Sequence, residues 1–227
     1  MKRIVQPELL DTLPADDPRA LRSRRDLRRV NAWMRNHSIM ANALQSGANG
    51  YTPKQIVELG AGDGDFLLRV AQKIFPFWSG ATVTLLDRQP NVPAEILTLF
   101  AAYGWQAKAV VADVFDWQPE RADVVIANLF LHHFDDAQLK LLLRRVAEHA
   151  RLFIAVEPHR FALPWPCGQL LWFIGCSSVT RHDAVVSIRA SFIRREISAL
   201  WPETGNWQLT ERRAGLFSHL FIARRNS

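Results

Sequence analysis

The stretch Ile56 to Phe66, reading Ile-Val-Glu-Leu-Gly-Ala-Gly-Asp-Gly-Asp-Phe, constrains the fold more than any other part of the chain. An apolar run carrying one carboxylate, Glu58, breaks into glycines at alternate positions: Gly60, Gly62 and Gly64. The pattern predicts a buried strand, a tight turn and the start of a helix. Glycine takes positive φ without penalty and has no Cβ, so such a turn can lie against a ligand. A dinucleotide fingerprint spaces its glycines G-x-G-x-x-G and aims a helix N-terminus at a pyrophosphate. Here the spacing is G-x-G-x-G, and Glu58, Asp63 and Asp65 crowd the turn. Carboxylates in that place repel phosphate and suit a cationic ligand.

S-adenosylmethionine, with a sulfonium, an ammonium, a carboxylate and no phosphate, meets that demand better than NAD or ATP. From Glu58 to Gly64 the sequence resembles the first motif of the class I S-adenosylmethionine-dependent methyltransferases. The resemblance implies an α/β fold: a Rossmann-like, doubly wound, seven-stranded and mostly parallel sheet with a C-terminal antiparallel hairpin. It also implies that Glu58, Gly60, Ala61, Gly62 and Gly64 form the cofactor turn.

The rest of the chain is read against that expectation. From Gln55 strands and helices alternate with short turns, which predicts βαβ units and a parallel sheet. Strands are expected at Ile56 to Leu59, Thr82 to Leu86, Ala107 to Val111, Asp123 to Asn128 and Ala150 to Val156. Helices are expected at Asp65 to Phe75, Pro93 to Tyr103 and Asp135 to His149. Open parallel sheets bind ligands at the carboxyl ends of their strands. Glu58, Asp87, Asp113, Asn128 and Glu157 stand at five successive such ends. Unrelated turn-formers have no reason to fall so regularly. Asp87 suits the two ribose hydroxyls. By the resemblance, Arg88 beside it belongs to the second motif, Asp113 faces the adenine amino group, Val114 lies on the ring, and Asn128 completes the cofactor set.

Residues 1–50 are expected to form a lead-in and a lid helix, and 51–227 the methyltransferase domain. Asp17 and Pro18 suit a cap and first helical position. Leu27, Val30, Trp33 and Met34 make a helical stripe within a helix from Arg22 to Leu44. That helix either packs on the sheet or places Trp33 and Met34 against the acceptor. Phe161 to Thr180 holds no charge and qualifies on length as a membrane span, but prolines, glycines and serines dilute it. It is expected instead to open a helical cap over an apolar acceptor pocket, spanning 161–201, with Trp172 and Glu157 as acceptor contacts. Another helix is expected from Asp183 to Trp201. Two strands, Trp207 to Arg213 and Leu216 to Arg224, would form the hairpin around Ala214-Gly215.

In-line methyl transfer needs alignment, and a base where the acceptor hydroxyl is not already acidic. His132 and His133 follow the fourth strand on the side where the methyl should point and are the candidates, with His132 preferred. Asp135, Asp136 and Glu157 do not make a convincing ligand set, so no metal is expected. Asn128 is followed by Leu-Phe-Leu rather than the Pro-Pro-aromatic run of nucleobase amino-methyltransferases. In overall pattern the chain resembles small-molecule methyltransferases related to ubiquinone and menaquinone biosynthesis, which implies a hydrophobic or aromatic acceptor. An RNA or protein methyltransferase, or a cofactor-binding subunit without turnover, remain the other readings.

The 28 basic and 22 acidic residues leave a net charge of +6, but the arginines are spread through the chain, so nucleic acid is not the expected partner. Cys167 and Cys176 match no metal or redox spacing and suit free thiols. Early charges without an apolar run do not make a signal peptide, and a cytoplasmic location is expected. Oligomeric state is not written in the sequence.

Overall fold

The computed structural model describes residues 2–14, 16–117, 121–161, 165–203 and 206–226. The strands are β1 (Gln55–Leu59), β2 (Thr82–Asp87), β3 (Gln106–Val111), β4 (Ala122–Asn128), β5 (Ala150–Pro158), β6 (Trp207–Ala214) and β7 (Ser218–Arg225). They form one sheet in the order β3-β2-β1-β4-β5-β7-β6. The first five run parallel, and β7 lies antiparallel between β5 and β6. The seven-stranded, mostly parallel sheet with its C-terminal hairpin is therefore as the sequence predicts.

Alternate residues of the central strands serve two cores. Ile56, Val124 and Ile154 join Met40, Leu44, Leu67, Ile74, Phe100 and Trp105 on one face. Val57, Val125 and Phe153 join Leu139, Leu142, Leu143 and Trp201 on the other. Helices cover both faces: α1 (Leu9–Thr12), α2 (Pro18–Met34), α3 (Asn36–Ala48), α4 (Asp65–Ile74), α5 (Ala94–Ala101), α6 (Asp136–His149), α7 (Trp165–Phe173) and α8 (Ser178–Ala190). Local chemistry sets several ends. Asp17 caps α2 through the Arg19 N–H with Pro18 at its first position, and Asp135 forms a capping box with Gln138 at α6.

Three expectations need correction. The helix predicted from Arg22 to Leu44 is two helices, broken at Arg35, whose φ is +59°. The break turns Asn36 into the interior, where its amide donates to Asn31 (3.0 Å) and Asn128 (3.2 Å) and accepts from the Ser218 hydroxyl (2.7 Å). The helix predicted from Asp183 to Trp201 starts earlier and ends at Ala190. Ser177 caps it, and beyond it Phe192 bridges His159 in extended form while the buried Arg160 donates to the Ser191 carbonyl (2.6 Å). The lead-in carries a helix of its own besides the lid: the Leu9 and Leu10 N–H groups that open α1 donate to the Asp183 carboxylate (2.8 and 3.0 Å).

Within the uncharged segment, 162–164 and the side chains of 165–168, Cys167 among them, lie outside the described residues. No helix among the described residues is long and apolar enough to cross a membrane. Cys176 is a free, buried thiol.

His37 on α3 is buried against the Phe66 ring, centroids 5.0 Å apart, and its Nε2 has no hydrogen-bond partner. Burial, and then the Arg69 cation, lower its pKa from 6.5 to about 4. Between those values the unfolded chain binds the proton and the folded chain does not, so stability falls as pH drops from 6.5 toward 4. Urea midpoints measured at pH 7 and pH 5 should show this loss, and His37→Phe should lose distinctly less across the same interval.

Candidate active site

The glycine turn after β1 is shaped by its neighbours. Gly60, Gly62 and Gly64 have φ of +68°, +56° and +76°. A Cβ at Gly60 would stand 2.2 Å from Cδ2 of Phe130, whose ring comes from the loop after β4. One at Gly64 would meet Leu85 at 2.9 Å. At Gly62 nothing lies within 4 Å, and this residue borders a cavity of about 730 Å³. The Ala61 N–H donates to the Leu86 carbonyl (3.0 Å) and the Gly62 N–H to Asp87 Oδ2 (2.8 Å), so the turn is laced to the end of β2.

Acidic groups surround that turn. Asp87 Oδ1 accepts the Gln89 N–H (2.9 Å), and burial pushes the Asp87 carboxyl up against these two backbone donors. Glu58 is only 2% exposed, and its Oε2 has no hydrogen-bond partner among the described residues. Burial first, then Asp63, Asp87 and Asp65, drive its pKa well above the usual carboxylate range. Arg28 of α2 answers part of this charge, donating to Asp63 Oδ2 through Nε (2.9 Å) and Nη2 (2.7 Å).

At the ends of β4 and β5 a second constellation forms. Glu157 is fully buried; its Oε1 accepts the Phe130 and Leu131 N–H groups (both 2.9 Å). Its Oε2 accepts from His132 Nδ1 (2.6 Å), and His132 Nε2 lies 3.2 Å from Glu8 Oε1 in the lead-in. Burial alone would lower the His132 pKa, but Glu157 and then Glu8 outweigh it and raise it to about 10. Glu8 and Glu157 are held below the ordinary carboxylate range by the same contacts, against their burial. His133 donates from Nδ1 to the Phe130 carbonyl (3.0 Å), with Nε2 3.5 Å from Glu8 Oε2 and 3.7 Å from Asp11 Oδ2. Glu8 and Asp11 lift its pKa, against burial and the His132 charge.

One cavity reaches both constellations. Gly60, Gly62, Asp87, Arg88, Asp113 and Val114 line one end, His132, His133 and Glu8 another, and Trp33 and Met34 a side wall. Other predicted residues lie off its wall. Glu58 is beneath the turn, Ala61 and Gly64 are bonded or packed into β2, and Glu157 stands behind His132. Asn128 donates to Asn31 (3.0 Å) and accepts from Asn36, so its amide is committed to the joint between α2, α3 and the sheet. Trp172 is 60% exposed on α7, edge-on to Phe173, while its neighbour Leu171 faces the cavity. Successive helical residues point about 100° apart, so both cannot face inward. Asp113 is exposed, and its Oδ1 accepts the Phe115 N–H (2.8 Å). Arg88 reaches Asp11 Oδ1 (2.9 Å).

Sequence reading missed Glu8, Asp183, Arg28 and the Asn31–Asn36 pair. Glu8 stands among prolines and leucines with no spacing to mark it. Asn31 and Asn36 signal only by being amides on an otherwise apolar helical stripe.

Residues 56–151, from β1 into β5, match the family model described as a methyltransferase domain. Among solved structures, the mitomycin 7-O-methyltransferase is 20% identical, with 96% of this chain and 60% of that one covered at a TM-score of 0.64. The plantazolicin methyltransferase in complex with SAH is 13% identical over 93% of this chain and 92% of that one, TM-score 0.63. An O-methyltransferase family protein from Burkholderia thailandensis is 19% identical over 94% and 61%, TM-score 0.63. The chain thus spans about three fifths of the length of the first and third. Among curated proteins none matches the sequence. At such identities the likeness shows the fold, and it does not single out the quinone-type enzymes. With the family match laid over the sheet order and the glycine turn, residues 56–151 form a methyltransferase domain within a sheet of Rossmann-like methyltransferase fold.

Proposed function

We propose that the protein transfers the methyl group of S-adenosylmethionine to an oxygen of a small, hydrophobic or aromatic acceptor. The observation that carries this reading is the single cavity joining the glycine turn and Asp87 to the His132–His133–Glu8 cluster. Apolar side chains, Trp33, Met34, Phe161, Leu171 and Ile188 among them, wall it. A cavity of about 730 Å³ whose surface is mostly apolar suits a small acceptor rather than a nucleic-acid strand. The likeness to a mitomycin 7-O-methyltransferase and an O-methyltransferase family protein supports oxygen as the methylated atom.

The residues at the first end fit the cofactor. Gly62 leaves room for a flat ligand while Gly60 admits the Phe130 ring above the turn, and the Asp87 oxygens, each with one backbone donor, keep lone pairs for the ribose hydroxyls. Arg88 flanks them, Asp113 accepts the adenine amino group, and Val114 packs on the ring. Glu58, Ala61, Gly64 and Asn128 act from behind the wall by shaping the turn and the loop after β4. The carboxylates of Asp63, Asp65 and Asp87 around the turn favour a cationic ligand over a phosphate. When bound, the cofactor supplies a methyl carbon activated by its sulfonium.

At the other end, His132 and His133 are the catalytic pair. His132 lies between two carboxylates and carries positive charge there, so it is not the base: an acidic acceptor such as a phenol gives its proton to solvent, and the pair stabilises the resulting anion in line with the methyl carbon. Glu157 positions His132 and does not meet the acceptor. Residues 1–50 close the acceptor side through Glu8, Trp33 and Met34, and 161–201 cap it over the 51–227 domain, with Trp172 outside the pocket.

Incubation with isotopically labelled cofactor should label phenols; labelling of structured RNA and of no phenol would refute the reading. Calorimetry with the demethylated cofactor should show Asp87→Ala raising Kd about 10- to 100-fold, as loss of charge-assisted hydrogen bonds requires, with circular dichroism unchanged. His132→Gln should lower kcat by about 100-fold or more while leaving cofactor Kd nearly unchanged. Gly60→Ala should lower the thermal midpoint and cofactor affinity together, and Phe130→Ala in the same chain should restore part of both.

A further inference from the structure

We propose that His132, His133 and Glu8 form a binding site for a divalent transition-metal ion, of the zinc, cobalt(II) or iron(II) class, at the acceptor end of the cavity. The three side chains can each present one ligand atom, and these atoms all lie within 4.8 Å of one another. His132 Nε2 stands 3.2 Å from Glu8 Oε1, and His133 Nε2 3.5 Å from Glu8 Oε2. Ligands bound at about 2.0–2.1 Å in tetrahedral geometry are about 3.3 Å apart, so both histidine-to-Glu8 spacings already match a filled site, with all three ligand atoms within 4.8 Å of one another. Asp11 Oδ2, 3.7 Å from His133 Nε2, is within reach as a fourth ligand.

The orientation of both rings is an independent observation. Each Nδ1 faces a group that can only accept: the Glu157 carboxylate for His132 (2.6 Å) and the Phe130 carbonyl for His133 (3.0 Å). Both Nδ1 atoms therefore carry hydrogen, and both Nε2 atoms turn to the same carboxylate. Metal-binding histidines are fixed in this way, by a carboxylate or carbonyl behind the ring. Two buried carboxylates, Glu157 at 0% and Glu8 at 9% exposure, need positive charge between them, which protonated His132 supplies without a metal and the ion would supply in its place. Nitrogen ligands with one carboxylate suit zinc-class ions and not magnesium or calcium, which take oxygen. The Glu211–His219 pair, with Nε2 2.8 Å from Oε1, brings one histidine to one carboxylate and forms no such cluster.

Metal binding displaces the proton from His132 Nε2 to solvent. Because all three side chains line the cavity, the ion's remaining positions face the acceptor. An acceptor with two adjacent oxygens would bind there as its anion. That last consequence rests on the proposed function, whereas the metal site itself does not.

Untagged full-length protein, stripped with chelator and titrated with Co²⁺, should develop the visible d–d absorption of a four- or five-coordinate ion at one equivalent. Zn²⁺ should displace it and raise the thermal midpoint. Glu8→Gln and His133→Gln should each weaken Co²⁺ binding by at least about tenfold, as should Glu157→Gln through the His132 ring. His149→Gln, outside the cluster, should bind as wild type does. No Co²⁺ or Zn²⁺ binding by the wild-type chain at about 100 μM would overturn the proposal; such weak retention is far below that of built three-ligand sites. Binding undiminished in both Glu8→Gln and His133→Gln would overturn it too. The wild-type titration decides alone should a variant fail to fold. Cofactor binding without a Co²⁺ spectrum refutes only the metal site, and a Co²⁺ spectrum without cofactor binding refutes only the methyltransferase reading.

Discussion

The site depends on one buried carboxylate. Glu157, at the end of β5, holds the Phe130 and Leu131 N–H groups with one oxygen and His132 with the other. Those bonds fix the loop after β4, which starts with Leu129 at a φ of +51°, a costly conformation for a branched residue. The same loop lowers the Phe130 ring onto Gly60 and sets His132 on the cavity wall. A carboxylate deep in a protein is tolerable only when its lone pairs are taken by donors, and here they are. The two ends of the cavity are thus mechanically joined, since the residue that roofs the glycine turn and the residue that meets the acceptor hang from one group.

The glycine turn shows the complementary situation. Asp63, Asp65 and Asp87 gather where two strands end, and with burial they push Glu58, whose Oε2 has no donor among the described residues, toward its neutral form. Arg28 and Arg69 neutralise Asp63 and Asp65 from flanking helices, and the Arg88 and Arg24 cations act on Asp87. Of these four acidic residues Asp87 lines the cavity, so it is the one a cationic ligand there meets directly.

Much of this was legible in the sequence, because apolar runs fix strands and a polar residue at each strand end marks the rim of a parallel sheet. Asp87, Asp113 and Val114 come to the cavity for that reason. The failures are equally physical. The stripe Leu27, Val30, Trp33, Met34 runs to the break at Arg35 without warning, because the break is stabilised by Asn128 and Ser218, far away in the chain. Ala190 ends α8 because Phe192 pairs with His159, which no local pattern announces. Asn128 obeys the rule of strand-end polar residues, yet its amide turns inward to other amides. Glu8 had no signal at all: its importance arises only when the lead-in folds across the histidines.

The amide and hydroxyl joint of Asn31, Asn36, Asn128 and Ser218 has a distinct consequence. None of its members titrates, and neutral hydrogen bonds are little affected by salt, so the root that fastens α2 and α3 to the sheet is insensitive to both. The outer fastenings of the same N-terminal segment, Arg88 to Asp11 and Arg28 to Asp63, are ion pairs near the surface and are screened as ionic strength rises. The cover over the cavity is thus anchored at its base by neutral chemistry and latched at its edge by charge, so ionic strength can loosen the edge while the base holds.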